Sequence, residues 1–139
     1  MVWLDAIERT YVEEMGGMNL FFVYGTGNDA RVVTPRLSGS LLPGVTRASL
    51  LQVAQDLGYA VSEELVSTES WRDDALSGAM SETFACGTAA VVVPLGRLKG
   101  EGFDVSIDGS EVTRHIHDRL TSIQYGRAED PHGWMYRLA

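Results

Sequence analysis

The chain has 139 residues, 45% of them hydrophobic, and a formal net charge of −8. That suffices for one domain with a core but not for two, and it is not the composition of a disordered segment. The charge argues against nucleic acid and against anionic membrane as partners, so an anionic ligand would need local amides and arginines.

Val2-Trp3-Leu4 with Ile7 predicts a short opening strand, and Met1 to Asp5 lacks the basic start of a signal peptide. Tyr11 to Met15 runs into Gly16-Gly17, where paired glycines in strand-like sequence predict a bulge or a close backbone approach. Met18 to Tyr24 reads as a buried strand, Gly25 to Asp29 as a turn, and Arg31 to Pro35 as the returning strand of a hairpin. Pro43-Gly44 then breaks the chain. Leu50, Val53, Ala54 and Leu57 recur at helical spacing up to a stop at Gly58.

Tyr59-Ala60-Val61 predicts a short strand, and Ser67 to Leu76 carries the cap and first-turn acids of a second helix. Ser81 to Pro94 is the most interior-looking stretch, and its β-branched run predicts a central strand entered through a Gly87-Thr88-Ala89 turn. Gly96 to Gly102 reads as a polar loop, Phe103 to Ile107 as a strand, and Asp108-Gly109 as a turn. Glu111 to Tyr125 is the clearest helix: Val112, Ile116, Leu120 and Ile123 form one stripe, with Gly126 past the end. The tail from Asp130 to Tyr136 is irregular but aromatic and is expected to dock. The expectation is one domain over residues 1–139, of α/β or mixed α+β class, with no membrane-spanning run.

Most of the motif-like stretches are better explained by structure than by chemistry. Gly25-Thr26-Gly27 lacks the third glycine and the following helix of a dinucleotide loop. His115 and His117 stand two apart on a helix, so they cannot chelate one metal, and no metal site is expected. Cys86, the single cysteine, excludes an internal disulfide, fits a reducing cytoplasmic compartment, and reads as a buried structural thiol. Ser38-Gly39-Ser40 lacks the context of a nucleophile elbow.

Three stretches remain. Gly44 would let a ligand approach the start of the first helix, where Val45 and Thr46 offer amides and Thr46 a hydroxyl; the alternative is an ordinary helix capped by Thr46. Strand alternation sends Glu13 and Glu14 to opposite faces, one of them inward beside Gly16-Gly17 to meet an arginine or a protonated ring nitrogen. Gly87-Thr88-Ala89 is a tight turn bearing a hydroxyl. Two anion-binding turns and one buried acid suit a phosphorylated cofactor with a protonated ring.

Glu14-Met15-Gly16-Gly17-Met18-Asn19-Leu20-Phe21-Phe22, Leu41-Leu42-Pro43-Gly44-Val45-Thr46-Arg47 and Cys86-Gly87-Thr88-Ala89-Ala90, in this order and spacing, resemble the C-terminal half of branched-chain amino acid aminotransferases. The resemblance runs from Trp3-Leu4-Asp5 to His132-Gly133-Trp134-Met135. It implies the large domain of the fold-type IV, pyridoxal-phosphate-dependent class: a mixed sheet or pseudo-barrel with flanking helices, here truncated. It implies ping-pong transfer of an amino group between leucine, isoleucine or valine and 2-oxoglutarate, in a cytoplasmic homodimer.

By the same resemblance, Glu14 would pair with the ring nitrogen with Asn19 close by, and Leu42 would pack on the ring. Gly44, Val45, Thr46 and Thr88 would hold the phosphate, and Thr88, Ala89 and Ala90 the substrate carboxylate. The family's Schiff-base lysine would lie upstream of Trp3. Lys99, the only lysine, matches no catalytic position, so this chain alone is expected to be inactive. A Cys-x-x-Cys of some relatives is replaced by Ala90-Val91-Val92-Val93. The alternatives are a non-catalytic phosphate or cofactor-binding module, an orphan self-associating domain, and, within the family, a D-amino-acid aminotransferase or aminodeoxychorismate lyase. The Met18-Asn19-Leu20-Phe21 stretch disfavours those last two.

Overall fold

The computed structural model describes residues 1–138; residue 139, the last of the expected domain, lies outside the described residues. Seven strands form one mixed sheet: β1 (Val2–Leu4), β2 (Val12–Met15), β3 (Met18–Tyr24), β4 (Arg31–Pro35), β5 (Ala60–Glu64), β6 (Met80–Gly87) and β7 (Val91–Pro94). β8 (Arg97–Gly100) and β9 (Phe103–Ser106) make a separate hairpin, and the helices are α1 (Val45–Asp56), α2 (Thr68–Ser77) and α3 (Glu111–Gln124). All pairings are antiparallel except β4 with β5, the one pair joined by a helical crossover through α1.

β3 is central. It pairs with β2 near its start, with β4 near its end, and with β6 along its other edge. Both sheet faces are covered, which explains why Leu20, Phe21, Phe22 and Val23 are all buried without polar alternation. One face sets Phe21, Val23, Val32, Phe84 and Cys86 against α1 and α3; Phe21 stacks on Phe84 with centroids 4.9 Å apart. The other sets Val12, Leu20, Phe22, Val33 and Ala85 against Trp71 of α2, which meets Phe22 edge-on at 5.1 Å.

The helices follow their sequence signals closely. α2 is closed by a capping box between Ser67 and Ser70 and ends on Gly78 at φ 77. In α3 the expected stripe of Val112, Ile116, Leu120 and Ile123 is buried. Its start has no cap from Ser110. Glu82 of β6, buried in the core, instead accepts hydrogen bonds from the Val112 and Thr113 N–H groups at 2.9 and 2.8 Å and from the Thr113 hydroxyl at 2.6 Å. A buried carboxylate without a cation is tolerated here because it meets orphan amides at the positive end of the helix dipole. The tail is anchored through His132, whose Nε2 lies 2.6 Å from Asp56 Oδ2 and whose ring stacks on Trp134 at 4.5 Å, but against expectation its aromatic side chains Trp134 and Tyr136 are exposed.

Five local expectations are corrected. The opening strand stops at Leu4, and Ile7 is exposed. Gly16-Gly17 is the tight turn of the β2–β3 hairpin, not a bulge, with both glycines in the left-handed region at φ 55 and 86. The β-branched run Val91–Val93 lies in β7, a short strand that among the described residues pairs with β6 alone, while β3 holds the centre. Part of the polar loop is β8, where Arg97 and Asp104 pair across the hairpin. Thr46 does not cap α1: the cap position is Gly44, and no side chain closes the turn.

Candidate functional site

Asn19 ties the three candidate stretches together. On one side its β3 position opposes Glu14 of β2, and on the other it opposes Cys86 of β6. Residues opposed across antiparallel strands project to the same face. The Asn19 side chain then crosses to the turn before α1: Nδ2 donates to the Leu42 carbonyl at 3.0 Å, and Oδ1 packs against Gly44. Gly44 is required here for space, since its own φ of −59 is ordinary and a Cβ would be driven into the Asn19 carbonyl.

Glu14 reaches this row through a bulge in β2. Trp3 opposes Glu14 and Leu4 opposes Val12, so Glu13 is the extra residue. Val12 packs in the cluster of Leu20 and Phe22; strict alternation from it would turn Glu14 onto that apolar face. The slip turns Glu14 to the Asn19 side instead. The expected opposite placement of Glu13 and Glu14 fails for the same reason. Glu13 accepts from the Ser38 and Ser40 hydroxyls at 2.7 and 2.6 Å, tying down the loop before α1. Glu14 is half-buried rather than fully buried, and among the described residues no side chain hydrogen-bonds or pairs with it.

Leu42 and Val45 flank the turn with exposed side chains, and the first-turn amides of α1 carry no side-chain cap. Thr88 and Ala89 are exposed and Ala90 half-buried in the three-residue turn joining β6 to β7, enclosed by the Gly87–Val91 pair. Val91 closes that turn at φ 56, a strained conformation for a β-branched residue, with its side chain packed on the core. Glu14, Asn19, Leu42 and Gly44 therefore share one junction. Val45 and Thr46 continue from it into α1, and Thr88, Ala89 and Ala90 continue from the adjoining end of β6.

Of the other residues read from the sequence, Cys86 is buried, as expected of a structural thiol. Burial pushes the thiol up to about 12, so it is no nucleophile at neutral pH. His115 Nδ1 meets the Tyr59 hydroxyl at 2.8 Å, and Lys99 is exposed. The sequence reading gave no role to Arg47, which is buried beneath the first turn of α1. The signal was present: Arg47 shares helical spacing with Leu50 and Ala54, an arginine on the apolar stripe.

Residues 5–98 match the family described as amino-transferase class IV. The chain belongs to this family. Among curated class IV relatives, the branched-chain-amino-acid aminotransferase of Mycolicibacterium smegmatis is 57% identical over 141 residues, covering 99% of this chain and 38% of the relative. The same enzyme of Mycobacterium tuberculosis is 55% identical with equal coverage. The solved branched-chain amino acid aminotransferase of Escherichia coli superposes at a TM-score of 0.77 with 30% identity, covering 96% of this chain and 40% of that one. That of Thermobaculum terrenum in its PLP form superposes at 0.70 with 26% identity, covering 91% and 38%. This class IV chain thus spans under half the length of its relatives and has their fold over nearly all of its own.

Proposed function

We propose that this chain is the cofactor-cradling part of a pyridoxal-phosphate-dependent branched-chain amino acid aminotransferase. The observation that carries the reading is the Asn19 junction: Asn19 opposes Glu14 on β2 and Cys86 on β6 and donates to the Leu42 carbonyl just before α1. The residues fit the cofactor chemically. Glu14, which has no hydrogen-bond or ion-pair partner among the described residues, offers a carboxylate to a protonated ring nitrogen, and the Val45 and Thr46 amides with the Thr88 hydroxyl offer neutral donors to a phosphate. Gly44 keeps the approach to those amides free of side chain.

When bound, pyridoxal phosphate supplies an electron sink for chemistry at an amino acid's α-carbon. Glu14 keeps the ring nitrogen protonated, and Asn19 holds the β2 row and the α1 turn at fixed separation. Leu42 covers a ring face. Val45, Thr46 and Thr88 anchor the phosphate; the backbone amides of Thr88, Ala89 and Ala90 receive the substrate carboxylate. The substrates on this reading are branched-chain amino acids and 2-oxo acids, and the Schiff-base lysine belongs to polypeptide outside this sequence, so the chain alone does not transaminate. The exposed apolar side chains Trp3, Ile7 and Val45 support a covering by that polypeptide or by a second copy in a cytoplasmic homodimer.

Titrating the chain with pyridoxal phosphate, followed by absorbance and thermal melting, tests this reading. Saturable binding that raises the melting temperature, weakened by Glu14→Gln, is expected. A chain that gains no stability from the cofactor, or that transaminates alone at the rate of intact family enzymes, refutes it.

A further inference from the structure

We infer that Arg47 is the positioning residue of the anion-binding turn: its guanidinium fixes where the Val45 and Thr46 amides stand. This rests on the cofactor reading above and assigns a role to a residue that would not touch the cofactor.

Arg47 is 4% exposed at the third position of α1. Its Nη2 donates to the Pro35 carbonyl at 2.9 Å, at the end of β4, and also to the Glu63 carboxylate on β5. One side chain thus clamps the first turn of α1 to the two strands that α1 connects. Its backbone lies two residues from Val45 and one from Thr46, and its Cβ packs near Gly44.

As a device for stability alone this arrangement is poor. Arg47 Nε is buried with no hydrogen-bond partner among the described residues, and the Glu63 side chain is 44% exposed, so the pair recovers little of the cost of desolvating the guanidinium. Buried donors left unmet are uncommon, and an apolar side chain of similar length would fill the space more cheaply. What an apolar residue cannot supply is a directional hold on the turn and a fixed positive charge beneath it. Both act on an anion at the amides. The overall charge of −8 makes that local charge more valuable.

The test uses the 139-residue chain and its Arg47→Met and Arg47→Lys variants. Each is titrated with pyridoxal phosphate, with pyridoxal lacking the phosphate, and with inorganic phosphate; circular dichroism and melting report the fold. The expected result for Arg47→Met is a fold and melting temperature near wild type. Affinity for pyridoxal phosphate and inorganic phosphate falls at least about tenfold, while affinity for pyridoxal is unchanged. Should Arg47→Met not fold, Arg47→Lys decides: it keeps the charge without the fork, so preference for the phosphorylated ligand falls partway. Equal losses for pyridoxal phosphate and pyridoxal, or a preference unchanged in a folded variant, overturn the inference alone. A wild-type chain that binds the two alike overturns the cofactor reading with it.

Discussion

The side-chain carbonyl of Asn19 occupies the space that any side chain on Gly44 would need. Gly44→Ala should therefore destabilise the chain by roughly 1–3 kcal/mol through overlap, since its φ of −59 suits alanine well. Asn19→Ala frees the Leu42 carbonyl and should cost about 1 kcal/mol. The double variant should recover most of the Gly44→Ala penalty, so urea unfolding of the four chains should give a coupling well outside additivity.

Glu82 caps α3 from a neighbouring strand. Glu82→Ala leaves two amides and a hydroxyl unmet in the core and should cost about 3 kcal/mol. Glu82→Gln keeps one carbonyl acceptor and should cost less. Equilibrium urea unfolding distinguishes the two. A loss under 1 kcal/mol for Glu82→Ala would show that α3 is held by its apolar stripe alone.

The Cys86 thiol, pushed up to about 12 by burial, should resist thiol reagents at pH 8 in the folded chain and react at once in urea. Its modification rate should follow the unfolded population across a urea titration, which makes it an internal probe of stability.

Asp5 should contribute to the acid sensitivity of the chain. The Tyr11 N–H foremost, with those of Thr10 and Glu8, holds its carboxyl at about 2 against an ordinary value of 3.8. A folded-state value below the unfolded one gives stability that is full above 3.8 and lost as pH falls through about 2. Melting of the wild type should therefore decline over that window more steeply than that of Asp5→Asn. Parallel profiles would remove Asp5 from the account.

Much of this protein could be read in the sequence because it is written at short range. Helical spacing located α1 and α3, Ser67 and the acids after it opened α2, and the apolar run Leu20–Val23 marked a strand covered on both faces. The motifs around Glu14, Gly44 and Thr88 identified the family from residue type and order alone. The misreadings share a cause. Alternation along β2 was broken by a bulge that exists only against β1, and the β-branched Val91–Val93 run was placed at the centre although pairing puts it in β7.

The sequence by itself determined the three helices and most of the strands, because dihedral preference and apolar period act over a few residues. The tertiary structure alone decided that Glu13 meets Ser38 and Ser40, that Glu82 caps α3 and that Arg47 clamps α1 to β4 and β5. Those contacts join residues far apart in the chain, and strand register, which no local pattern encodes, sets who meets whom.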